Sequence, residues 1–116
     1  MNSLLIAFAL FTSQAQAATL VEQIVSTTKT IGDRGLSDKH SPCKITAIFT
    51  ENGDLKLTVI TDVMGWAEIT IPHDYHGQPT ADSQRYQIGS AGYVEVDAKS
   101  IVANSGHGEA ACWLEN

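Results

Sequence analysis

Beyond residue 43, apolar and polar side chains alternate with a period of two, the mark of strands with one buried face. Two such runs, 44–49 and 55–61, flank Glu51-Asn52-Gly53, and Asn-Gly between alternating runs signals a hairpin. A two-residue turn would set Phe49 against Lys56 and Ala47 against Thr58, apolar against polar. A three-residue loop, Glu51-Asn52-Gly53, instead pairs Phe49 with Leu55, Ala47 with Leu57 and Ile45 with Val59. That register keeps one apolar face inward, whereas a slip of one residue would mix the faces. It also puts Gly53 at the left-handed position of a bulged turn, where glycine is favoured. The pattern therefore predicts the three-residue loop, with Cys43 on the same inward face as Ile45, Ala47 and Phe49.

The alternation continues. A third strand is expected over 66–71, with Ala67, Ile69 and Ile71 inward, after a turn at Met64-Gly65. Pro72 ends it, because proline cannot donate to a ladder. A long loop follows over 73–83. Strands are then predicted over 86–88 and 93–98, the second with Val94 and Val96 inward and with 100–103 continuing it past a bend. After the turn 104–108, a last strand over 110–114 places Ala110, Cys112 and Leu114 on one face. The expected fold is mainly β: one antiparallel meander of about six or seven strands, closed as a small barrel or stacked as a sandwich.

Only the N-terminal part departs from this period. Thr19-Leu20-Val21-Glu22 has the spacing of a capping box, Leu20, Ile24 and Ile31 recur at helical spacing, and Gly32 is a stop signal. A short helix is expected there despite the β-branched run 25–28. Residues 32–42 are turn-rich and read as a loop. Ahead of the helix, residues 4–11 are apolar but too short for a membrane span, which needs about 20 such residues. Ala15-Gln16-Ala17 then has the small-x-small form of a signal-peptide cleavage site. Residues 1–17 are read as a secretory signal, although no Lys or Arg precedes the apolar run, and 18–116 as a single small β-rich domain. The alternative for 1–17 is a buried N-terminal helix.

Charge and cysteine count narrow the classes. The formal net charge is −6, which argues against nucleic acid and against an anionic membrane surface. No later stretch is long enough to insert in a membrane, and no lipidation cysteine adjoins the cleavage site. Periplasmic or secreted localisation is expected. In an exported chain, Cys43 and Cys112 are expected to form a disulfide, which would tie the first strand to the last. Neither lies in a CxxC pair, so thioredoxin-like chemistry has no support.

All four histidines, His40, His73, His76 and His107, fall in expected loops. His73, His76, His107 and Glu109 form a candidate set of ligands for a divalent metal. The usual zinc signatures are absent, and solvated loop histidines are the plainer reading. No nucleophile motif or phosphate loop occurs, and Glu68, Glu95 and Asp97 are expected on solvated faces, so neither an enzyme nor a bound cofactor is expected. Trp66 and Trp113 fall opposite the apolar faces, and Tyr75 lies inside the histidine loop. These three are the candidate binding residues, and the loop suits recognition better than catalysis.

A small exported β-barrel with a first-to-last-strand bridge, together with Gly108-Glu109-Ala110, resembles the periplasmic lysozyme inhibitors in outline. The Ser-Gly-x-x-Tyr loop of that family is not matched by Ser90-Ala91-Gly92-Tyr93, so none of its functional residues carries over. The expected function is an exported, non-enzymatic module that binds another protein. The alternatives are metal binding through the loop histidines and inhibition of a secreted hydrolase.

Overall fold

The computed structural model describes residues 18–37, 40–61, 65–80 and 84–115. The expected signal segment, and Met64 of the expected turn, lie outside these residues. Helix α1 (Leu20–Ile31) opens with the anticipated capping box: the Glu22 amide donates to Thr19 Oγ1 at 3.1 Å, and the Thr19 amide to Glu22 Oε1 at 2.8 Å. It stops at Gly32, whose φ of 56° is left-handed and whose amide donates to the Thr28 carbonyl. Leu20, Ile24, Thr27 and Ile31 form its buried stripe. Burial of that face, more than propensity, holds so short a helix with a β-branched middle. The buried Thr27 hydroxyl donates to the Asp97 carbonyl at 2.5 Å, fixing α1 to the second half of the chain.

Seven strands form two antiparallel sheets: β1 (Cys43–Phe49), β2 (Leu55–Thr61) and β3 (Gly65–Ile71) in one, β4 (Arg85–Ile88), β5 (Gly92–Val96), β6 (Ser100–Asn104) and β7 (Glu109–Trp113) in the other. Each sheet is a meander in chain order. The β1–β2 register is the expected one, pairing Phe49 with Leu55, Ala47 with Leu57 and Ile45 with Val59. The Thr50 amide donates to the Asp54 carbonyl across the three-residue loop, and Gly53 has φ 88°. The sheets face each other in a sandwich-like pair, with β2 and β3 over β6 and β7, and do not close into a barrel. Helix α1 packs against β1 on one side and β5 and β6 on the other. The alternating inward residues of both sheets, from Leu55, Leu57 and Val59 to Val94, Ile101 and Ala103, merge with the helix stripe into one core.

Cys43 and Cys112 are bonded, with Cα atoms 5.9 Å apart, joining β1 to β7. The 32–42 loop reinforces the same seam. Leu36 and Trp113 exchange two backbone hydrogen bonds, at 2.8 and 3.0 Å, and the Cys43 amide donates to the Gly35 carbonyl. Gly35 is buried against the bridge. A Cβ there would lie 2.4 Å from Cys112 Sγ, 2.9 Å from Cys43 Sγ and 2.7 Å from Ile31 Cγ2, so glycine alone fits.

Two expectations are corrected. Residues 100–103 do not extend the preceding strand. The Asp97 carboxylate accepts the Lys99 amide, the Asp97 amide donates to the Ser100 carbonyl, and the chain reverses into β6. Phe49, expected inward, is 56 % exposed. It is the last residue of the edge strand β1 and lies beside Val21 and Val25 of α1, whereas Leu55 and Ile71 of the same cross-strand row, further into the sheet, are fully buried.

Candidate functional site

Cross-strand register fixes what the outer face of the three-stranded sheet displays. Lys44, Ile60 and Trp66 form one row, Thr46, Thr58 and Glu68 the next, and Ile48, Lys56 and Thr70 the third. Directly opposed side chains lie about 5 Å apart, so Ile60 and Trp66 make one apolar spot with Lys44 at its end. Trp66 is 62 % exposed, Ile60 45 % and Ile48 53 %. Trp113, the other tryptophan expected on an outer face, is half-buried where Leu36 pairs with its backbone.

The outer face of the four-stranded sheet is instead satisfied within itself. Arg85 Nε donates to Glu95 Oε2 at 2.9 Å, its guanidinium carbon lies 3.8 Å from the Tyr93 ring centroid, and the Tyr93 hydroxyl donates to Glu109. The bond to Glu109 raises the Tyr93 pKa, burial adding to it, and the bond to Glu95 raises that of Arg85.

The four candidate metal ligands are not gathered into one place. His73 lies just past the C-terminal end of β3, where both its amide and its Nδ1 meet Asp54 Oδ1, at 2.8 and 3.0 Å. The shared hydrogen bond raises the His73 pKa and lowers that of Asp54. His107 sits in a shallow depression with Trp66 and Glu68, at the other end of β3, and a Cβ on its neighbour Gly108 would lie 3.4 Å from the Trp66 carbonyl oxygen. Five residue steps of strand separate Trp66 from Ile71, roughly 17 Å. Glu109 is held by Tyr93, and His76 Nδ1 lies 2.9 Å from the carbonyl of Asp74 in its own loop. No group of three or more His, Cys, Asp or Glu side chains suited to a metal occurs among the described residues. His40, the remaining histidine, lies 2.9 Å from Glu115.

The 72–79 loop does form a site of another kind. Its turn is closed by the Tyr75 amide donating to the Pro72 carbonyl. The loop folds back beside the start of α1, leaving a cleft of about 450 Å³ lined chiefly by Tyr75, His76, Gln78, Pro79, Gln23 and Tyr86. Tyr75 and Tyr86 both pack against the hydrophobic core. The Tyr75 hydroxyl donates to the Gln87 carbonyl at 3.0 Å, and burial raises its pKa. Gln23 Nε2 reaches both the Ala18 carbonyl, at 3.2 Å, and the Tyr86 hydroxyl, at 3.1 Å. The part of the cleft contributed by α1 was not anticipated. Gln23 and Tyr86 are 63 residues apart, and no local pattern announces their meeting.

Comparison of the chain with protein families, with curated proteins and with solved structures finds no match.

Proposed function

We propose that this chain is an exported, non-enzymatic binding module, and that it recognises a partner protein through the outer face of the three-stranded sheet. One observation carries the reading: Trp66 stands largely exposed beside the also exposed Ile60 on a regular, hydrogen-bonded sheet. Tryptophan contributes strongly to binding when a partner covers it, and a rigid strand holds it at little entropic cost. The neighbouring charges define the partner. Lys44 ends the row of the apolar spot, Glu68 lies in the next row and Lys56 in the one after, so with two lysines to one acid this face is locally basic on a chain of net charge −6. A complementary surface has an apolar centre and carboxylates at its rim.

Export rests on the 1–17 pattern, and the formed bridge agrees with it, since disulfides persist in oxidising compartments. Among the described residues no helix is long and apolar enough to cross a membrane. The test is site-specific photocrosslinking in cells that secrete the protein. A photoreactive residue at position 60 should give a discrete protein adduct. The same residue at position 111, on the outer face of the other sheet, should not. Equal labelling from both positions, or none from position 60, rejects the assignment.

A further inference from the structure

The cleft between α1 and the 72–79 loop is separate from the Trp66 face and has the chemistry of a small-molecule site. We infer that it binds a neutral saccharide of one or two rings. Its volume of about 450 Å³ lies within the usual range for ligand pockets.

Its walls are preorganised. The Tyr75 and Tyr86 rings rest on the core and are tied at their hydroxyls, one to the Gln87 carbonyl and the other to Gln23. Gly77 permits this arrangement, because a Cβ there would come within 2.3 Å of the Tyr75 hydroxyl oxygen. An aromatic platform anchored in this way offers an apolar ring face with polar edges, the complement of a sugar ring with its C–H face and peripheral hydroxyls.

The polar groups narrow the ligand further. No Lys, Arg, Asp or Glu side chain belongs to the described lining, so a cationic ligand would be desolvated without a counter-ion, and an anionic one would meet only the α-amino group that removal of 1–17 leaves on Ala18. The amide nitrogen of Gln23 is committed to Ala18 and Tyr86, which turns its oxygen to the role of acceptor. In the neutral His76 ring, donation from Nδ1 to the Asp74 carbonyl leaves Nε2 as an acceptor too. The Gln78 side chain adds an amide donor and acceptor, and the Tyr86 hydroxyl, which accepts from Gln23, keeps its proton to donate, so the lining calls for a ligand that both donates and accepts. Sugar hydroxyls do both. A proline-rich peptide, the other natural guest of a tyrosine-lined groove, presents carbonyls and lacks amide protons at its prolines.

The experiment is protein-observed NMR on the full domain. The probes are a panel of neutral mono- and disaccharides (glucose, N-acetylglucosamine, maltose, cellobiose and N,N′-diacetylchitobiose), each taken to about 20 mM, enough to saturate a site with a Kd of about 1 mM, beside glucuronic acid and a polyproline peptide. A neutral sugar should give saturable shifts confined to residues 18–23, 75–79 and 86. Binding should weaken at least about tenfold, or 1.4 kcal/mol, in His76→Ala and in Tyr86→Phe, both chosen to preserve the fold. Trp66→Ala should leave it unchanged, which separates this site from the protein-binding face. Absence of saturable shifts across the neutral panel, preference for glucuronic acid or polyproline, or indifference to both cleft variants overturns the inference.

Discussion

Replacing Gly35 with alanine tests the packing at the seam of the molecule. The new Cβ would stand 2.4 and 2.9 Å from the two bridge sulfurs and 2.7 Å from Ile31 Cγ2, whereas comfortable separations are about 3.5–4.0 Å. None of these neighbours is the free end of a flexible chain. The sulfurs are bonded to each other across two sheets, and Ile31 is fully buried at the end of α1. The seam must therefore open, and with it the paired hydrogen bonds of Leu36 and Trp113. Overpacking of this kind costs about 1–3 kcal/mol, and the rigidity of the neighbours places Gly35→Ala at the upper end. For a domain of this size that lowers the melting temperature by roughly 10–20 °C. The assay is thermal unfolding followed by circular dichroism, in the native background and in a Cys43→Ala/Cys112→Ala background. Removing the sulfurs removes two of the three clashes, so the penalty should shrink in the second background, a coupling that the double-mutant cycle reads directly. An unchanged melting temperature, or the same penalty with and without the bridge, would mean that Gly35 is not packed tightly against the sulfurs.

Three further outcomes follow from the same structure. Loss of the Cys43–Cys112 bridge, which spans 69 residues, should cost about 4 kcal/mol on the chain-entropy account, measured as a fall in the urea midpoint of the Cys43→Ala/Cys112→Ala variant. Thr19→Ala removes the hydroxyl of the capping box and should destabilise the fold by about 1 kcal/mol, while Ser26→Ala on the exposed side of α1 should be near neutral. NMR titration should find His73 above its ordinary 6.5 and Asp54 below 3.8, with Asp54→Asn bringing His73 down. The contribution of a charged His73 is therefore complete below pH 6.5 and lost as pH rises through its raised value. That of the Asp54 carboxylate is complete above pH 3.8 and lost as pH falls through its lowered value. A His73 titrating at or below 6.5 would contradict the pairing.

Local chemistry made part of this architecture legible. The Thr19–Glu22 box, the Gly32 stop and the Asn52-Gly53 loop are short-range signals, and the β1–β2 register followed from keeping apolar residues on one face. The bridge was legible from cysteine count and the export pattern, and the structure placed it between the first and last strands. The misreadings have physical causes. Alternation says which face a residue is on and not how completely the end of an edge strand is covered, so Phe49 was placed inside although it ends β1 largely exposed. Between 93–98 and 100–103 only a bend was expected, whereas the Asp97 side chain caps a turn that reverses the chain, a role aspartate often takes. The two histidine loops were candidates to meet, but β3 holds them at its opposite ends. The aromatic cleft escaped notice for a related reason. Tyr75 stood out within its loop, but its partners, Gln23 and Tyr86, come from a helix and a strand whose approach depends on how the two sheets stack.

The binding role of the Trp66 face is tested most directly by the affinity of the protein crosslinked from position 60, measured for the wild type and for Trp66→Ala by surface plasmon resonance. Trp66→Ala should lose at least about 2 kcal/mol, roughly thirtyfold, as for a tryptophan at the centre of an interface, with Trp113→Ala within about threefold of wild type. Equal affinity of the wild type and Trp66→Ala for that partner would contradict that role.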